Sequence, residues 1–474
     1  MRSKNLSSEI WCMSADEQSK QIAQGQLSSR EIVDAVLTRI WEVNPEINAL
    51  VEILAEEALA AADKADAELR QGKALGRLHG VPITIKVNTD QKGCASTNGV
   101  VAFRDAISNE DSTVVSNFRK SGAIIVGRTN TPAFSHRWFT DNELHGLTIN
   151  PRNRALTPGG SSGGAAAAVA AGMGAIAQGN DFGGSIRYPA YACGVMGLRP
   201  TTGRIPRFNP SRKTEAPITA QLMAVEGPLA RSVADLKLAL SAMEQRDPRD
   251  PNWVKAAVHV TEGSRSRCVA ISPNPFEMTD PIISSAIRRA GHWLECAGYE
   301  VEEVDAPGLY EASELWHSLV INEERRSLLP SIEQFGDHAS KVSISDHMRY
   351  APRLNGDEIL QCFERRLAVM RNLQQFMEQF PTIILPVSDK MPFANGADLL
   401  GFEAFKEIAD AQRPLLAIPP LGLPSLTVPL GDYEGTPLGV QIISMKFHEE
   451  NCFKIAEVLE AQAPVAVSEL RWQP

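Results

Sequence analysis

Cysteine is scarce and scattered in this chain of 474 residues, with seven in all: Cys12, Cys94, Cys193, Cys268, Cys296, Cys362 and Cys452. No two form a C-x-x-C pair and the number is odd, which excludes a zinc ribbon and a disulfide framework and fits reduced thiols in a reducing compartment. Aromatic residues make up only 6%. No basic tract occurs and the net charge is -10, so the chain lacks a nucleic-acid footprint. No run of about 18 apolar residues is present, so no membrane-spanning helix is expected. The N-terminal MRSKNLSSEIWCMSADEQSK lacks the apolar core of about 7–15 residues that a secretory leader needs. These absences together predict a cytoplasmic protein with neither membrane nor nucleic acid as partner.

What remains is an ordinary globular composition, 43% hydrophobic and 22% charged. The length exceeds the roughly 250–300 residues that one core organises, so it predicts either several domains or one large α/β sheet with insertions. Ser28 and Glu31 form a capping-box pattern ahead of the amphipathic stretch IVDAVLTRIWEV, and a second helix is predicted over about 53–71. VPITIKV (81–87) reads as a buried strand, 111–122 as a helix and AIIVG (123–127) as a strand. A loop is predicted over 246–254, a helix over 281–300 followed by the strand EVEEV, and a polar helical stretch over about 310–380. Strands return in TIILPV (382–387), PSLTVPL (424–430) and GVQIIS (439–444), with a last helix from about Glu449. This alternation predicts an α/β fold with helices on the faces of a sheet.

Chemistry concentrates in three places. Lys86 stands in an otherwise apolar strand. It either snorkels to the sheet edge or is desolvated, and desolvation lowers an ammonium pKa from about 10.4 by several units, making a base that works near neutral pH. GGSSGG (159–164) satisfies G-x-S-x-G around Ser162. A nucleophile elbow also needs a strand-turn-helix setting and a histidine and acid downstream, so Ser162 is set aside. It is no phosphate cradle either, because Ala-Ala follows the last glycine. DFGGSIR (181–187) is a simple glycine turn or an oxyanion site. In the second reading the N–H groups from Phe182 to Ser185 converge on one oxygen, each such donor contributing about 3–4 kcal/mol, and the Ser185 hydroxyl attacks.

Together these residues resemble the amidase signature family. HGVPITIK resembles its catalytic-lysine strand, TPGGSSGG its serine-glycine loop, GNDFGGSIRYPA its nucleophile segment and GLRPTTGRIP the turn after it. GLPSLTVPLG and TPLGVQII resemble its C-terminal strands. The likeness runs from about residue 20 to 460 and is densest at 79–86, 121–132 and 146–206. It implies an α/β/α sandwich with a mixed twisted central sheet, one large domain over 1–474 with its core at 75–210, and a helical insertion at about 310–380 covering the substrate. It implies Ser185 as nucleophile, Ser161 after a cis peptide bond from Gly160 as proton relay, and Lys86 as base. The amides of Phe182, Gly183, Gly184 and Ser185 form the oxyanion hole, and Asp181 and Arg187 brace the loop. Two departures stand out: Val87 follows Lys86 where many members have Asp, and Asn180 stands where many have Thr or Ser.

The activity implied is hydrolysis of a small carboxamide to a carboxylate and ammonia or an amine through an acyl-enzyme, with no metal and no cofactor. The partner is a small-molecule amide, and the chain is expected as a homodimer. The alternative is the glutamine-hydrolysing A-type subunit of an amidotransferase, working with partner subunits. A Ser-His-acid esterase built on His79, His136 or His145 is a more distant rival. Within TPAFSHRWFTDNELHG (131–146), Trp138 and Phe139 are expected to line the substrate pocket, Trp138 as the principal wall.

Overall fold

Among the described residues one mixed sheet has eleven strands, several of them short, fully buried runs rich in Val and Ile. The computed structural model describes residues 10–73, 76–256 and 267–467. The reading of residues 1–20 as leaderless falls in part on residues 1–9, which lie outside the described residues. In chain order the strands are β1 (Leu50–Ile53), β2 (Pro82–Lys86), β3 (Ile124–Thr129), β4 (Ile176–Asp181), β5 (Met196–Arg199) and β6 (Val225–Ala230). β7 (Cys268–Ile271), β8 (Glu300–Glu303), β9 (Thr382–Pro386), β10 (Ser425–Tyr433) and β11 (Thr436–Ser444) follow. Their order across the sheet is β1-β3-β2-β4-β6-β5-β10-β11-β9-β7-β8. β2 runs parallel to both neighbours, as does β7, and every other pair is antiparallel.

The predicted strands at 81–87, 123–127, 382–387, 424–430 and 439–444 are β2, β3, β9, β10 and β11. Five strands escape the sequence pattern. β4 reads IAQGND and β6 reads VEGPLA, with glycine, proline and polar residues where a buried strand should be apolar. They are extended because ladder partners on both sides leave no other conformation. β1, β5 and β7 have four residues each, too short for periodicity to register.

The helices divide by face. Ser29–Ile47 starts on the predicted capping box: the Ser28 hydroxyl accepts from the Glu31 N–H at 3.1 Å, and Glu31 accepts from the Ser28 N–H at 2.8 Å. Such caps contribute about 1 kcal/mol. An identical device on Ser14 and Glu17 opens an earlier helix, Ala15–Ala23, that the sequence reading passed over. Gly163–Ala170 consists of glycine, alanine and one valine and is fully buried beside Ser29–Ile47. A Cβ at Gly164 would lie 2.4 Å from the Asn130 nitrogen, which explains the small residues. The polar stretch at 310–380 is not one helical run. It breaks into Leu309–Trp316, a π-helical turn at His317–Ile321, Asn322–Ser327, Leu329–Phe335, His338–Tyr350 and Gly356–Met377. Its apolar side chains join Ile383, Leu385 and Ile443 of β9 and β11 in one cluster.

Candidate active site

β2 and β4 lie side by side and parallel, and each ends on a fully buried charged residue, Lys86 and Asp181. The carboxyl ends of parallel strands are where open α/β sheets place their ligands. Lys86 Nζ is 2.7 Å from Ser161 Oγ, 3.1 Å from Ser162 Oγ and 2.9 Å from Asn180 Oδ1. Burial pushes its pKa down from 10.5 to about 7, against the pull of Glu226 and Asp181. A neutral amine has two hydrogens and one lone pair. With Asn180 Oδ1 accepting one hydrogen, the lone pair is left for a serine hydroxyl, and the shortest contact is Ser161. Sheet-edge snorkelling is ruled out because Lys86 has no exposed surface.

Ser161 follows a cis peptide bond from Gly160. No side chain fits at Gly160, where a Cβ would lie 2.4 Å from the Arg137 oxygen and 2.5 Å from the Phe139 nitrogen. Ser162 donates its N–H to the Ser185 carbonyl at 3.1 Å and so ties the two loops together. Its hydroxyl is fully buried and outside the cavity wall, unlike that of an elbow nucleophile.

The loop carrying Ser185 is wound around the Asp181 carboxylate. Arg187 donates to it through Nε and Nη2, both at 3.0 Å, and Arg199 adds Nη1 at 3.3 Å. The Gly184 N–H donates at 3.1 Å and the Ile186 N–H at 3.2 Å. Burial alone would push Asp181 up, but Arg187 and Arg199 hold it well below the usual carboxylate range. Gly184 adopts φ +102, which only glycine takes without strain. The four amides expected to face one oxygen are therefore not equivalent: Asp181 engages that of Gly184, and Phe182, Gly183 and Ser185 line the cavity while Gly184 does not. Two indoles hold this turn from behind. Trp316 Nε1 donates to the Phe182 carbonyl at 2.8 Å and Trp138 Nε1 to the Gly183 carbonyl at 2.9 Å. Because C=O and N–H point oppositely across a trans peptide, the Trp316 bond aims the Gly183 N–H.

Ser161 and Ser185 line one cavity of about 680 Å³, together with Asn180 and Glu226. Phe103, Phe134, Trp138, Phe182 and Trp316 give it an aromatic end; Arg207, Arg212 and Lys213 lie in its polar wall. Trp138 is both wall and brace, since its indole N–H serves the loop. Phe139 is corrected: it is buried within the apolar cluster and contributes nothing to the cavity, whose wall takes Phe134 instead. Phe134 and Ser135 bend the chain with φ of +59 and +56, and residues 134–138 line the cavity in unbroken succession before Phe139 turns into the core. Of the histidines, His79 Nε2 meets the Ala65 carbonyl and His145 Nε2 the Thr97 hydroxyl, both at 3.0 Å and off the cavity. His136 lines it, but its Nε2 faces Glu324 at 3.0 Å and its Nδ1 is buried with no hydrogen-bond partner, so it activates no serine.

A family model described as Amidase matches residues 31–453. The chain belongs to the amidase signature family. It is 42% identical to the indoleacetamide hydrolase of Bradyrhizobium diazoefficiens, over 98% of this chain and 89% of that one. It is 32% identical to the A-type subunit of the glutamyl-tRNA(Gln) amidotransferase of Synechococcus sp. (strain CC9311), over 96% of this chain and 98% of that protein. Among solved structures, a bacterial aryl acylamidase of the amidase signature family superimposes with a TM-score of 0.81 at 25% identity, covering 96% of each chain. The protein is accordingly an amidase, a hydrolase of linear amide C–N bonds.

Sequence reasoning missed four residues of this amidase's site: Gln178, Arg199, Glu226 and Trp316. Arg199 lies in the quoted GLRP motif and could have been weighed as a partner for Asp181. Trp316 sits in the insertion with no motif around it, and only the fold brings it to the loop.

Proposed function

We propose that this amidase cleaves primary arylacetamides, such as indoleacetamide, through an acyl-enzyme on Ser185. The observation that carries the reading is the buried Lys86 amine 2.7 Å from Ser161 Oγ, beside a cavity that Ser161 and Ser185 share with an aromatic wall. Neutral Lys86 takes the Ser161 proton as Ser161 takes that of Ser185. The Ser185 oxygen attacks the carbonyl, and the Phe182, Gly183 and Ser185 amides hold the developing oxyanion. The proton returns along the same path to the departing nitrogen, ammonia leaves, and water repeats the sequence to release the carboxylate. No step draws on a metal or cofactor.

The substrate class rests on the indoleacetamide hydrolase relative and on five aromatic side chains in the cavity wall. Burying an aromatic ring there contributes roughly 25 cal/mol per Å². The test is turnover by the purified chain alone of indoleacetamide, phenylacetamide, acetamide and glutamine. The arylacetamides should lead by at least tenfold in kcat/KM. Hydrolysis of glutamine alone, and only with added subunits, would assign the chain to the amidotransferase reading. One large domain, a cytoplasmic site of action and a homodimer belong to the same proposal. Among the described residues no helix is long and apolar enough to cross a membrane. Light scattering reads the dimer.

A further inference from the structure

Val87 follows Lys86 where many family members carry an acid, so the base lacks a charged neighbour in its own strand. The fold brings one from β6. We propose that Glu226 is the built-in counter-charge of Lys86, a positioning residue that steadies the base and sets the pH range over which it works. The inference rests on Lys86 being that base.

The placement follows from sheet register. β4 and β6 are antiparallel, with Asn180 directly opposite Glu226, and directly opposed residues share a face. Asn180 reaches the Lys86 amine at 2.9 Å across the strand end, so its cross-strand partner Glu226 stands next to a group that touches the base, and both line the cavity. Glu226 is buried, and its Oε2 accepts from Gln178 Nε2 at 2.6 Å. Gln178 Oε1 in turn accepts from the Lys86 backbone N–H at 2.9 Å. A single side chain therefore links the carboxylate to the strand end that carries the base.

The other charges around the pair point the same way. Ser161, Ser162 and Asn180, the groups that touch the Lys86 amine, are neutral. The anions facing it are Glu226 from β6 and Asp181 from β4, and Asp181 is already paired with Arg187 and Arg199. Glu226 faces Arg207 at 3.5 Å, and Arg212 lies in the same cavity wall. Burial pushes the Glu226 carboxyl up, while Arg207 and Gln178 favour its ionised form. Of the two anions, Glu226 opposes the downward push of burial on Lys86 more strongly.

The test is the pH profile of kcat/KM for phenylacetamide. Glu226→Gln keeps the volume and an acceptor for Gln178 but removes the charge. The midpoint of the acid limb should move down by about one pH unit, so activity well below it, relative to plateau, rises about tenfold over wild type. Glu226→Asp should keep the limb near its wild-type position. Glu226→Ala removes the charge by a different route and answers the question if the Gln variant does not fold. Should turnover be too slow, the pH dependence of Ser185 labelling by a fluorophosphonate reads the same limb. A midpoint that stays put, or moves up, in the charge-removing variants overturns the inference. An active Lys86→Met variant would instead overturn the assignment of the base, so the two failures are distinguishable.

Discussion

β2 and β4 are hydrogen-bonded neighbours that end on buried charges, and the molecule treats the two charges in opposite ways. Asp181 receives two arginine side chains and three backbone N–H groups, every one of which favours the ionised carboxylate. Lys86 receives three neutral oxygens, and its nearest anions stand further off. The first environment makes a permanent charge that serves as a winding post for the Ser185 loop. The second makes an amine poised between its two protonation states. The contrast teaches that burial does not by itself decide what an ionisable group does; the donors and acceptors that accompany it do.

Replacing the poised side of this comparison should have the largest effect. Ser185→Ala, Lys86→Met and Ser161→Ala should each lower kcat by several powers of ten, and double variants should be no worse than the worst single one. Steady-state kinetics checks both statements, and additive doubles would break the triad. The melting temperature of Lys86→Met should stay within a few degrees of wild type, because the site is built for chemistry rather than for stability.

The structural side should fail differently. Asp181→Asn leaves two buried guanidinium groups without their anion, at about 3–5 kcal/mol, and should shift the denaturation midpoint before any question of activity arises. A variant of wild-type stability would mean that the clamp does not hold the loop.

A third measurement reads the poise itself. In the proposed mechanism neutral Lys86 is the active form, and burial lowers its folded pKa to about 7. Activity is therefore lost as pH falls through that value. Below the midpoint kcat/KM should drop tenfold per pH unit, and above it the profile should be flat. A lysine of ordinary pKa would instead give a profile still rising at pH 9.

Smaller effects separate the two indoles. Trp316→Phe removes the bond that aims the Gly183 N–H, worth about 1 kcal/mol, and should lower kcat severalfold with KM little changed. Trp138→Ala also removes aromatic wall, so the lead of phenylacetamide over acetamide should shrink by about tenfold, or ~1.4 kcal/mol. Ser162→Ala should be the mildest, since Ser162 lies outside the cavity and only donates, accepts and ties loops.

The sequence alone determined the α/β class, the strand that carries Lys86 and the two serine-glycine loops, because these depend on local signals. β-branched runs make strands, capping boxes start helices, and glycine-rich motifs stay legible wherever they fold. It also determined the family, through motifs spread along most of the chain. Tertiary structure decided the rest. Gly184 lost its place among the cavity amides to a carboxylate three residues earlier, and Phe139 turned into the core while Phe134 turned out of it. Arg199, Trp316 and Glu226 reach the site from the end of β5, a helix of the 310–380 stretch and a strand that reads like a loop. Their distance from Lys86 and Ser185 along the chain carries no local signal. Sheet register and helix packing are long-range contacts, and only they settle which charge meets which.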